Sequence, residues 1–139
     1  KDDRDGNLDL SITLPRLLIF SVSFFLAIIL TVVLILLYHV ICLITLDEKG
    51  IVNILMVSSD ILSGLVLPIP FFPTLLQKIS NFLPYRYVSD FPFRLYVGNI
   101  SLTSGIKGII IQIIWIIILV VIGRLITKKA LKKAVIQGG

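Results

Sequence analysis

The chain has one cysteine, one histidine, one tryptophan and one methionine in 139 residues. A lone Cys42 excludes a disulfide framework and a cysteine-built metal cluster, and a lone His39 excludes multi-histidine sites. Charge is scarce: 15% of residues are Asp, Glu, Lys or Arg, against roughly 25% in soluble domains. The sequence has no G-x-x-x-x-G-K-[ST] phosphate loop, no H-E-x-x-H, no G-x-S-x-G and no clustered carboxylates placed for acid–base work. ATP hydrolysis, zinc hydrolysis and serine hydrolysis therefore have no carrier among these residues, and a non-enzymatic role is expected.

What fills the space is apolar. Hydrophobic residues make up 57% of the chain, isoleucine alone occurs 25 times and alanine 3 times. Mean hydropathy is +1.05. A soluble domain of 15.5 kDa is mostly surface and has nowhere to hide this much apolar area. Disorder is excluded too, because disordered chains are polar. The length suits one domain, and the composition predicts an all-α integral membrane protein. The Ile-rich, Ala-poor usage suits an AT-rich bacterial genome. Because the chain opens on Lys1 with no signal-peptide pattern, a natural start upstream is expected.

The net charge of +5 is local. Arg124, Lys128, Lys129, Lys132 and Lys133 follow one another with no acid, and they equal the whole excess. This is a basic tail beside anionic headgroups, not a nucleic-acid surface. A clustered basic tail predicts a cytoplasmic C-terminus.

Residues 1–16 are polar, contain Gly6 and Pro15, and predict a loop. Leu17 to Leu46 then runs 30 residues without a formal charge and without Gly, Pro or Asn, which predicts one tilted helix and not two. Asp47-Glu48-Lys49-Gly50 makes a tight polar connection. Ile51 to Leu67 is a second apolar segment, closed by Pro68 and Pro70. Gly108 to Gly123 is a third, flanked by Lys107 and Arg124, whose long side chains extend its reach. The expected spans are about 17–46, 50–70 and 106–127, with a basic cytoplasmic tail over 124–139.

Residues 72–99 differ in kind and predict short amphipathic outer helices that lie in the membrane interface or dip into it. Pro73 and Pro84 bracket an expected helix over 73–83. Its Leu75, Leu76, Ile79, Phe82 and Leu83 share one face, expected to be buried, with Gln77, Lys78, Ser80 and Asn81 opposite. Tyr85, Tyr87, Phe91, Phe93 and Tyr96 then interleave with Arg86, Asp90 and Arg94, a composition suited to headgroup level.

Three intramembrane polar residues are candidates for function. Asp60 is the costliest, at about 2.5–3.5 kcal/mol for a carboxylate near a helix centre. It either lines a route or packs against another helix, with Ser59 and Ser63 as expected donors, and packing is the simpler role. His39 falls within about one turn of Asp60 in depth if the first two helices are antiparallel. A proton relay would need such a pair, although ordinary packing is the commoner fate of a lone histidine. Cys42, Met56 and Trp115 read as packing residues.

The stretch from Ile61 to Gly98 carries Ser63-Gly64, Pro68, Phe72-Pro73, Leu-Gln-Lys, Phe82-Leu83-Pro84-Tyr85-Arg86, Pro92 and Leu95-Tyr96-Val97-Gly98. The chain ends on basic residues and Gln137-Gly138-Gly139. This pattern resembles the C-terminal half of six-span permeases of bacterial ATP-binding-cassette exporters, over roughly residues 17–139. The resemblance implies that the three spans are the last three of six. It implies outer elements at 72–99, a cytoplasmic C-terminus in a bacterial plasma membrane, and a second permease subunit. It also implies separate ATPase subunits that hold the ATP and magnesium, with no cofactor in this chain; the membrane context of the Tyr/Arg stretch and the local basic tail already argue against a nucleic-acid partner. A non-transporting membrane scaffold or immunity protein is the alternative, and a neighbouring gene for a Walker-type ATPase would separate the two.

Overall fold

The computed structural model describes residues 10–45 and 50–138, with side chains over 14–45 and 50–132. The described residues form five α-helices: α1 (Leu10–Thr45), α2 (Gly50–Leu62), α3 (Thr74–Phe82), α4 (Asp90–Val97) and α5 (Leu102–Gly138). Single 3-10 turns stand at Ile69–Phe71 and Pro84–Tyr87.

Two helices dominate. α1 has 36 residues and α5 has 37, about 54 and 55 Å of helix. Leu14–Thr45 and Leu102–Lys132 are long and apolar enough to cross a membrane. α1 is one unbroken helix, as the lack of turn residues predicts, but it begins earlier than expected. Residues 10–16 are helical with Pro15 inside. So near the start, the missing N–H forfeits only the bond to the Ser11 carbonyl. Residues 1–9 and the Asp47–Lys49 connection lie outside the described residues. The third segment also extends beyond its expected bounds, because α5 takes in both Leu102 and the basic tail.

α1 and α5 run parallel. Ile19 lies beside Gly105, Ser23 bonds to Gln112, and Leu37 approaches Gly123, so partner numbers rise together. The seam is written in steps of 3, 4 and 7 residues: Ser23, Ala27, Leu30, Leu34 and Tyr38 are buried on α1, and Gly105, Gly108, Gln112 and Leu119 on α5. Small residues let the helices and their neighbours approach closely, which is how helices associate where lipid removes the hydrophobic drive. A Cβ at 105 would come within 2.9 Å of the Leu95 side chain, and one at 108 would fall among the ring atoms of Phe91.

With α1 and α5 parallel, the residues between them must carry the chain back along the bundle. α2 begins that return and packs on α1. Its helix stops after 13 residues, about 20 Å, so the expected helical span over 50–70 is not formed as such. The stop is local and specific. Gly64 takes φ +82°. Its N–H meets the Ile61 carbonyl at 3.1 Å, and the Leu65 N–H reaches the Asp60 carbonyl at 3.3 Å. This pair of bonds is a Schellman closure, which needs a left-handed residue where glycine has no Cβ penalty.

The short elements pack along the long helices, α4 on α1 and the Pro84–Tyr87 turn on α5. α3 follows Pro73 and ends before Pro84, as its bracketing prolines predict. Lys78 and Asn81 are exposed as expected, but the apolar face is not buried. Leu75 is 71% exposed and Phe82 77%, Ile79 is exposed as well, and Ser80 is fully buried. The amphipathic spacing is real, but in lipid an apolar face gains nothing by turning inward. Close approach selects the small Ser80 for the inner side instead. Gln77 does not point away either: its amide donates to the Pro70 and Phe72 carbonyls at 3.1 and 2.9 Å, tying α3 to the 3-10 turn before it. Phe82 meets Trp115 of α5 edge-on at 6.4 Å. α4 closes like α2, with Gly98 at φ +87° and the Gly98 and Asn99 N–H groups bonded to the Leu95 and Arg94 carbonyls.

Candidate functional site

Gln112 is fully buried in the middle of the apolar stretch of α5. An amide carried there without partners would cost several kcal/mol, of order 2–7. Three bonds remove most of that cost. Its Nε2 donates to the Ser23 carbonyl at 3.1 Å and to the Tyr87 carbonyl at 2.9 Å, using both N–H groups. Its Oε1 accepts from the Ser23 hydroxyl at 3.1 Å, leaving one lone pair. One side chain thus ties α5 to α1 and both to the Pro84–Tyr87 turn. From the other side, the buried Tyr38 of α1 donates to the Tyr85 hydroxyl at 3.3 Å. The turn is held by both long helices, so its irregular backbone is covered by protein, the condition under which such backbone is tolerated at membrane depth.

Asp60 lies on α2, on the wall of a recess of about 390 Å³ that it shares with Tyr38, Ser59, Ser63 and Ser89. Asp60 is exposed. Ser63 is buried, but its hydroxyl donates to the Asp60 backbone carbonyl at 3.0 Å and not to the carboxylate. The expected donor role of Ser63 is therefore corrected: it reinforces the end of α2 and leaves the carboxylate facing the recess. His39 is not in that recess. It is exposed on another face of α1, with Nδ1 2.7 Å from the Ile35 carbonyl. One residue is a rotation of about 100° on a helix, so Tyr38 and not His39 is the α1 residue brought to Asp60. The structure assembles no His39–Asp60 relay.

The motif positions divide into punctuation and packing. Gly64 and Gly98 close α2 and α4. Pro68 and Pro73 precede the first 3-10 turn and α3, Pro84 opens the second turn, and Phe72, Pro84 and Pro92 are buried. Gln137 and Gly138 continue the α5 backbone, and Gly139 lies outside the described residues. Arg86 belongs to an ionic ladder. Asp90, with its side chain only 8% exposed, accepts from Arg86 Nε at 3.3 Å and lies 3.8 Å from Arg94 Nη1. Arg86 also donates to the Asn81 side chain, and the Asp90 N–H donates to the Ser63 carbonyl at 3.2 Å. The ladder therefore locks α4 to the end of α2.

Sequence reasoning missed Gln112, Tyr38 and the Asp90 ladder as joints. A glutamine among isoleucines is a polar anomaly in the sequence, but its partners Ser23 and Tyr87 are 89 and 25 residues away. The i, i+4, i+8 spacing of Arg86, Asp90 and Arg94 was the one local sign available.

No curated protein and no solved structure matches the chain. A family match does cover nearly all of it: residues 6–138 match the ABC-2 family transporter proteins. The polar joints between apolar helices, the small-residue seam and the glycine-closed short elements are thus those of a membrane protein that belongs to the ABC-2 transporter family.

Proposed function

We propose that the chain is the permease part of an ATP-binding-cassette exporter. It forms part of the translocation route, pairs with a second permease subunit in a bacterial plasma membrane, and is driven by separate ATPase subunits that bind ATP and magnesium. The observation that carries this reading is the family match over residues 6–138. The chain's own residues include no phosphate loop, so energy enters through partner subunits and reaches the cargo as a rearrangement of helices.

Three crossings form the proposed topology. The support is the parallel course of α1 and α5, since two spans in one direction require a return between them. α2 together with the residues to Pro70 supplies that return, and residues 72–99 re-enter from the external side. The basic end of α5 supports a cytoplasmic C-terminus. Asp60 is proposed to contact another helix of the assembled permease across its recess.

The deciding experiment is export by the complete transporter with the Walker lysine of every partner ATPase substituted. Export stops on this reading. Export that continues overturns it in favour of a passive pore or an ion-driven carrier.

A further inference from the structure

Arg86, Arg94 and Lys107 line one recess of about 310 Å³ where α4 meets the start of α5. Their only acidic neighbour among the described ion pairs is Asp90, which both arginines share, so the formal charge of the cluster is +2. Lys107 is exposed and takes part in no ion pair among the described residues. Ser101 and Ser104 complete the rim. Ser101 Oγ accepts from the Ser104 N–H at 3.3 Å and donates to Ser104 Oγ at 3.0 Å, which leaves the Ser104 hydroxyl proton available.

Arg86 already gives Nε and Nη1 to Asp90 and Asn81, so it contributes charge and its Nη2 group, while Arg94 lies farther from Asp90. From this juxtaposition of two guanidinium groups, one ammonium and one spare hydroxyl around a common space, we propose that the recess binds a phosphate group. Guanidinium pairs match the oxygens of phosphate geometrically, and a lysine adds a mobile point charge. Two uncompensated cations in one recess attract an anion, and anionic headgroups are a ready source of one at a membrane surface. The floor is apolar, with Phe91 seated on Gly108 and Ile111 beside it. Two sources carry this chemistry, the headgroup of an anionic phospholipid and the free anion, and the recess offers the same contacts to both.

The test is thermal unfolding of the full-length permease in detergent. One arm adds phosphatidylglycerol in mixed micelles, a second adds inorganic phosphate at constant ionic strength, and phosphatidylcholine serves as control. A ligand that binds only the folded state raises the midpoint. Wild type should be stabilised by phosphatidylglycerol, by phosphate, or by both, and the responding arm identifies the source. Lys107→Gln should weaken the apparent affinity about tenfold, Lys107→Arg should restore it, and Lys128→Gln/Lys129→Gln in the basic tail should leave it unchanged. Arg94→Gln should act in the same direction, but it also loosens Asp90, so Lys107 carries the decision. Equal responses in wild type and Lys107→Gln overturn the proposal, as does no response to either phosphate source or a response lost only in the tail variant.

Discussion

At the scale of single residues, polar side chains decide how the apolar helices sit. Gln112→Leu removes three hydrogen bonds and leaves the Tyr87 carbonyl and the Ser23 hydroxyl in an apolar surround. The expected loss is about 1–3 kcal/mol, read as a lower unfolding midpoint in detergent and less permease in the membrane. A wild-type midpoint would show that the three bonds do not hold the bundle. Asp60 is the second test. As a helix-packing residue it tolerates Asp60→Asn in both export and abundance, whereas Asp60→Leu lowers abundance. Loss of export in Asp60→Asn at normal abundance would instead make it a lining residue of the route. The sequence marks both positions as anomalies, because polar groups in hydrocarbon are costly. It does not mark their partners: Tyr38 and His39 are neighbours in the chain, and the difference between facing Asp60 and facing away is one step of helical rotation.

Elements were legible to the extent that their causes are local. The 30 uncharged residues without a breaker gave α1, and Pro73 and Pro84 gave α3. What proximity in sequence does not carry is which side of a helix meets protein when the surroundings are lipid, and so Leu75 and Phe82 face outward. The length of α2 was misjudged for a related reason. Apolar content continues to Leu67, but Ser63-Gly64 had already closed the helix. That closure is testable. Gly64→Ala places a residue with a Cβ at φ +82°, 3.2 Å from Ile69 Cγ1, and is expected to cost about 1–2 kcal/mol. Gly98→Ala carries the same left-handed strain at φ +87° and should cost a similar amount, because its close contact, Arg16 Nη1 at 2.7 Å from the new Cβ, is the tip of a long side chain that can swing aside. Unfolding midpoints of the two variants check this, and a wild-type midpoint in either would contradict the described closures.

At the scale of the whole molecule, the parallel pairing of α1 and α5 makes topology the sharpest prediction. In a Cys42→Ala background, Asn81→Cys and Gly139→Cys should react with a membrane-impermeant maleimide from opposite sides. Labelling from the same side would remove the three-crossing arrangement. The outward faces of the long helices remain strongly apolar, with Phe25, Leu36 and Ile117 more than half exposed, as expected of surfaces that meet lipid or further helices. The Gln112 joint also imposes an order in time. Its two helical ends are 89 residues apart, so at about 5–20 residues per second a ribosome needs about 4–18 s to deliver the second after the first. During that interval Ser23 is without the partner that will hold it, and the turn ending at Tyr87 is tied to α1 by the Tyr38–Tyr85 bond alone. α5 is therefore the helix that fastens α1 and the turn made before it, and a chain halted short of Gln112 lacks that joint.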